Sequence, residues 1–303
     1  MAAEAASHPG SMNEIVVGVD GSEGSAHALR WAVEEAALRD AKVEAVLAWG
    51  FLDQHHTIVG ERFEPGYGAD EAREALDRYV EDAVGADRAA AVERRVVTDL
   101  PARALIEASG GAGLLVVGAR GLGGFRGLLL GSVSQKALNH AKCPVAVIRP
   151  DVIPAPAEVT PRVVVGVDGS ESAAQALRWA ADEARARNAT LEVVHAWQPP
   201  FVGGYAFSAP VFDFAPFEEA AHELLDSVLA KTDLRDLPQP IEQTVVSAGA
   251  ASALLEAAER AHVVVVGDRG LGGVQRFLLG SISNQVAIHA TCPVIVVRPS
   301  DDD

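Results

Sequence analysis

"LLVVGARGLGGFRGLLLGSVSQKALNH", residues 114–140, runs from four apolar residues through a loop with glycines at 118, 121, 123, 124 and 127 into a helical pattern. An unbroken apolar run suits a strand buried on both faces, as in a parallel sheet covered by crossover helices. Val133, Ala137 and Ala141 recur at i, i+4 and i+8, so a helix starts at Gly131 or Ser132. Strand, glycine loop and helix together form the junction from which doubly wound α/β sheets are built. The loop holds no Asp or Glu. A helix N-terminus offers unpaired N–H groups and a partial positive charge, and glycines let an anion such as phosphate come against them. For one loop alone, a flexible glycine linker before an ordinary helix start is an equally good account.

A second copy changes the weighing. "VVVVGDRGLGGVQRFLLGSISNQVAIH" occupies residues 263–289, and "IVVGVDGSEGSAHALRWAVEEA" from Ile15 returns as "VVVGVDGSESAAQALRWAADEA" from Val163, 148 residues later. Gly118, Gly121, Gly131 and Ser132 persist as Gly267, Gly270, Gly280 and Ser281, while Ala119 has become Asp268 and Phe125 has become Val274. In the first copy the pattern predicts strands at Glu14–Asp20, Lys42–Trp49, Ala91–Val97, Leu114–Val117 and Val145–Arg149, with helices between them. The expected fold is α/β, two tandem doubly wound five-stranded parallel-sheet domains. A disordered N-terminus (1–12), a first domain (13–150), a proline-rich linker (151–161) and a second domain (162–300) divide the chain.

Composition narrows the function. The net charge of −17 repels nucleic acid and anionic membrane surfaces. Neither a signal-peptide core nor an apolar run near 20 residues is present, so a cytoplasmic protein is expected. Cys143 and Cys292, each before a proline and a Val/Ile run, read as buried inert thiols. A Gly-x-x-x-x-Gly-Lys-Ser/Thr loop is absent, and the first strand ends in Asp20-Gly21-Ser22 instead of a dinucleotide fingerprint. "SGGAG" from Ser109 reads as a turn, because the second copy has "ERAH" there. His55, His56 and His195 have no partners at metal spacing, and His140 and His289 suit helix C-termini.

Both halves resemble the universal stress protein family, and the chain resembles its tandem type, with an adenine nucleotide alpha hydrolase-like fold. The resemblance rests on Gly-x2-Gly-x9-Gly-Ser/Thr, present as Gly118, Gly121, Gly131-Ser132 and as Gly267, Gly270, Gly280-Ser281. It implies ATP, a ligand that usually brings Mg²⁺, with Asp20 and Asp168 on the ribose hydroxyls and Gly18 and Gly166 letting the nucleoside lie flat. It further implies main-chain reading of adenine near Ala48 and Ala196. The N–H groups of Gly121, Gly131, Ser132 and Val133, with the Ser132 hydroxyl, would hold phosphates; Gly270, Gly280, Ser281 and Ile282 match them. Arg120 and Arg269 match between copies and suit phosphate charge or a solvated loop equally; Arg126 and Arg276 fall out of register. Asp20 also suits a helix cap, but Ser22 and Ser170 can cap, which leaves Asp20 and Asp168 for a ligand. Trp31 and Trp179 read as helix packing; Trp49 and Trp197 stand beside the adenine edge, placed to stack on it.

Neither loop is read as supplying an acidic or histidine base for hydrolysis. The leading expectation is therefore an ATP-regulated stress-response module with slow or no hydrolysis. A low-turnover ATPase and a non-catalytic scaffold with vestigial pockets stay open. The family's fifth-strand edges, here "CPVAVIRP" and "CPVIVVRP", imply pairing within the chain or in a homodimer. Residues 52–68 and 202–215, where the copies diverge most, carry contacts particular to this member, and the regulatory partner is unnamed.

Overall fold

The computed structural model describes residues 12–49, 68–122, 130–150, 160–199, 213–271 and 279–299. By proximity the chain forms two units. The first holds the described residues before 151 together with Pro293–Val296; the second holds those from 160 to Cys292 with Val297–Pro299. Outside the described residues lie Gly123, Gly124, Gly127, Arg126, Arg276, His55, His56, most of the linker and most of both divergent loops.

In the first unit the elements run β1 (Glu14–Val19), α1 (Glu23–Ala37), β2 (Lys42–Trp49), α2 (Ala69–Val84), α3 (Ala86–Ala89), β3 (Val92–Thr98), α4 (Pro101–Ala108), β4 (Leu114–Gly118), α5 (Ser132–His140) and β5 (Val145–Ile148). The strand order is β3-β2-β1-β4-β5, all parallel, with Ile15 opposite Val43 on one side and Leu114 on the other. At β1 the order therefore reverses, because β2 follows it in sequence while β4 lies on its other flank. Ile15, Leu114 and Leu115 are fully buried, as a parallel sheet covered on both faces requires. Each such side chain contributes about 1.5–3 kcal/mol relative to exposure. Ser109–Gly111, read as a turn, forms a short 3₁₀ helix after α4.

The second repeat runs β6 (Arg162–Gly166), α6 (Glu171–Arg187), β7 (Thr190–Trp197), α7 (Ala215–Ala230), β8 (Glu242–Ser247), α8 (Ala250–Ala258), β9 (Val263–Gly267), α9 (Ser281–His289) and β10 (Val294–Val297). Its strand order β9-β6-β7-β8 places the reversal at β6. β10 pairs antiparallel with β5, Val294 opposite Val147 and Val296 opposite Val145, so the first unit is completed by residues from the far end of the chain. Cys143 and Cys292 are buried, and burial pushes the Cys292 thiol up to about 12, which removes it from thiolate chemistry.

Local sequence explains the helix starts. Ser22 Oγ accepts from Ser25 N at 3.1 Å and Ser170 Oγ from Ala173 N at 3.2 Å, so both serines cap as expected. Gly21 and Gly169 precede them at φ +85°, a left-handed conformation that glycine adopts without a Cβ clash. Glu35 and Glu183, with no exposed surface, pair with Arg39 and Arg187 one turn on. Among the described residues, no helix is long and apolar enough to cross a membrane.

Candidate functional site

Beyond the carboxyl ends of β6, β7 and β9 lies a hollow that is open to solvent at its mouth. In an open α/β sheet this is the switch-point crevice where ligands bind. Gly166 and Asp168 from the β6 end and Ala196 from β7 form one side. Gly267, Arg269, Gly270 and Ile282 from the glycine loop and the start of α9 form another. Ala196 lines the hollow and Trp197 does not, so the second-repeat tryptophan is not against it as expected. Gly280 and Ser281 flank it at the helix start.

The Asp side chains are not free, contrary to expectation. Asp20 Oδ1 accepts from Ser22 N at 3.0 Å and Oδ2 from Leu122 N at 2.9 Å; Asp168 repeats this with Ser170 N and Leu271 N, both at 3.0 Å. Each carboxylate thus ties the strand end to the glycine loop. An ionised carboxylate has about four acceptor sites, so two remain on each.

The glycines lie against the protein's own atoms. A Cβ on Gly121 would stand 1.9 Å from Asp20 Oδ2, and one on Gly270 2.3 Å from Asp168 Oδ2. At Gly118 the obstacle is the Gly24 backbone at 2.8 Å, and at Gly267 the Ser172 hydroxyl at 2.4 Å. Gly18 and Gly166 make room for Leu105 and Leu254, at 2.6 and 2.9 Å. The repeated glycines are therefore a packing requirement first, not the ligand clearance expected of them.

At the helix starts, Gly131 and Gly280 are the caps, with Ser132 and Ser281 the exposed first helical residues. Gly131 N donates to the Ala119 carbonyl at 2.7 Å and Gly280 N to that of Asp268 at 2.8 Å, which takes these two amides away from the expected phosphate set. Ser132, Val133, Ser281 and Ile282 N–H groups have no acceptor inside their helices. Sequence reasoning passed over Ser134 and Ser283, whose hydroxyls donate to the carbonyls of Gly118 and Gly267 at 2.7 and 2.6 Å and pin the helices to the strand ends. Their identity in "GSVS" and "GSIS" was the available signal.

One acid does lie in a glycine loop. Asp268 is only 2% exposed; its Oδ1 accepts from Ser172 Oγ at 2.8 Å, and Oδ2 faces Arg269 Nε at 3.1 Å and Arg298 Nε at 3.3 Å. Buried and paired, it is not a base. Arg269 is thereby held beside a carboxylate, whereas Arg120 pairs with none among the described residues. His195 is a core residue with Nδ1 2.9 Å from the Val167 carbonyl, and His140 and His289 occupy last helical turns.

Two tandem doubly wound α/β repeats, with a hollow at the second repeat's switch point, define the architecture. The family model described as Universal stress protein family matches residues 12–149 and 160–298. A universal stress protein of Mycolicibacterium smegmatis is 37% identical over 292 residues, covering 94% of this chain and 97% of its own. Universal stress protein Rv2005c of Mycobacterium tuberculosis is 36% identical over 309 residues, covering 97% and 100%. The crystal structure of a universal stress protein from Archaeoglobus fulgidus shares the fold with a TM-score of 0.59, at 20% identity, covering 95% of this chain and 98% of that one. The chain belongs to the universal stress protein family.

Proposed function

We propose that the protein binds ATP at the switch point of each repeat and acts as a nucleotide-regulated stress-response module with slow or no hydrolysis. The observation that carries this is the second-repeat hollow, lined by seven of that repeat's nine candidate residues. ATP fits the donor set there: Asp168 keeps acceptor sites for ribose hydroxyls, and Ala196 offers main chain. The first amides of α9, the Gly270 amide and Arg269 would hold the phosphates. Asp20, Ala48, Arg120, Gly121, Ser132 and Val133 hold the matching positions of the first repeat. Among the described residues no group of three or more His, Cys, Asp or Glu side chains gathers for a metal, so Mg²⁺ would arrive on the phosphates with its waters.

Slow turnover is in keeping with Asp268, the acid of the second loop, being buried and bonded to Ser172. Equilibrium dialysis with labelled ATP tests the reading. Two nucleotides per chain are expected; none would favour the scaffold, and rapid ADP formation in a single turnover would favour an enzyme. A Kd of order 10 μM at millimolar ATP stabilises the fold by about 3 kcal/mol, so the melting temperature rises with ATP concentration.

A further inference from the structure

The two sites differ at a coupled pair of positions. The first repeat has Gly24 and Ala119; the second has Ser172 and Asp268 at the matching places. Ala119 is 1% exposed and brings no charge, while Asp268 at 2% exposure brings a carboxylate anchored by the Ser172 hydroxyl. The exchange is concerted. A Cβ on Gly24 would stand 2.4 Å from the Arg120 carbonyl oxygen, so a serine there would push the first loop aside. In the second loop the serine is accommodated and bonded to the acid it supports.

Arg269 lines the hollow, and Asp268 Oδ2 holds its Nε at 3.1 Å. Arg269 shares this carboxylate with Arg298, whose Nε is 3.3 Å away, so a phosphate entering there meets a cation whose charge is partly opposed by a neighbour shielded from solvent. Burial weakens screening, so the carboxylate acts on each added phosphate charge, and its effect grows with the charge of the ligand. Arg120 carries no such opposition among the described residues.

We propose that Asp268 is a positioning residue that makes the second site discriminate against phosphate charge. That site takes a nucleoside monophosphate in preference to the triphosphate, while the first site takes the triphosphate. The proposal rests on the nucleotide reading above and gives one chain a separate response to each ligand.

The test is calorimetric titration of the full-length chain with ATP and with AMP. Gly280→Val leaves the first site, and Gly131→Val leaves the second; one nucleotide per chain is expected for each. The first site should prefer ATP, and the second should prefer AMP. In the Gly131→Val background, Asp268→Asn should tighten ATP about tenfold and AMP by less than about threefold. The double change Ser172→Gly/Asp268→Ala, which rebuilds the first repeat's pair, should do the same and covers the case in which the asparagine variant misfolds. A purely structural role for Asp268 would move both ligands together. Equal ATP-to-AMP ratios at the two sites, or a ratio unmoved by both variants, overturns the proposal and leaves nucleotide binding intact. No uptake by the unmodified chain, or two nucleotides retained by either single-site variant, overturns the nucleotide cradle and this proposal with it.

Discussion

Asp20 reaches across 102 residues to the Leu122 amide, and this bond explains a glycine that the loop's sequence alone does not. Gly121→Ala drives a Cβ into Asp20 Oδ2, forcing the carboxylate off an amide it satisfies. The expected cost is about 1–3 kcal/mol. Gly131→Ala meets the Ala119 carbonyl at 3.4 Å, an ordinary contact, and should cost less than about 1 kcal/mol. Urea denaturation of the two variants separates the cases; equal losses would mean the glycine at 121 answers to something other than Asp20. The spacing of these glycines was legible because it repeats, but its cause was not, since a contact over 102 residues leaves no local mark. Tyr79 is a further residue of this kind. Its hydroxyl donates to the Ser22 carbonyl at 2.8 Å and lies 2.5 Å from Ser25 Oγ, and burial pushes it up to about 12. The folded form holds this proton more tightly than the unfolded chain, whose tyrosine titrates near 10. About 2 kcal/mol of stability is therefore fully present below roughly pH 10 and is lost as pH rises toward 12. Tyr79→Phe should flatten that alkaline decline. Leu225, fully buried, takes the same eleventh place in α7, so the effect belongs to the first repeat alone.

Elements were the most legible level, because periodicity and caps are local. The expected Lys42–Trp49 strand is found with the same bounds, and Leu114–Val117 extends by one residue to Gly118. The expected Glu14–Asp20 strand stops at Val19, since Asp20 turns to hold the Ser22 amide. The short α3 carried too few residues to show a period. What fixes α9 against its strand was hidden in a residue read only as part of a helix: Ser283, 5% exposed, donates to the Gly267 carbonyl. Ser283→Ala leaves that carbonyl, among buried atoms, without this donor, at a cost of about 1–3 kcal/mol. Ser170→Ala, which removes only a cap, should cost about 1 kcal/mol. Both losses are measurable by thermal denaturation. Hydrogen exchange distinguishes them further, with faster exchange at the start of α9 in Ser283→Ala and of α6 in Ser170→Ala. The same exchange pattern in both variants would refute separate tethers.

At the scale of the whole chain, repetition made two similar folds legible, and with them the pairing of the two last strands. "CPVAVIRP" and "CPVIVVRP" were expected to pair within one chain, and Val294–Val296 does lie antiparallel along β5, grouping with the first unit. A strand's apolar pattern reports that it is buried, not which edge it covers. Ile295, with no exposed surface, faces Ala146 across that ladder. Truncating it to alanine removes buried methylenes for about 2–5 kcal/mol. The cost should be felt at β5: amide exchange over Val145–Ile148 speeds up in Ile295→Ala, although the mutation lies in the second repeat's sequence. Unchanged protection at β5, with loosening confined to residues 163–290, would mean that the ladder between Ile295 and β5 is not formed in solution. Loss of protection at Val145–Ile148 would mean that the end of the chain helps hold the first repeat's sheet, so that shortening one repeat unsettles the other.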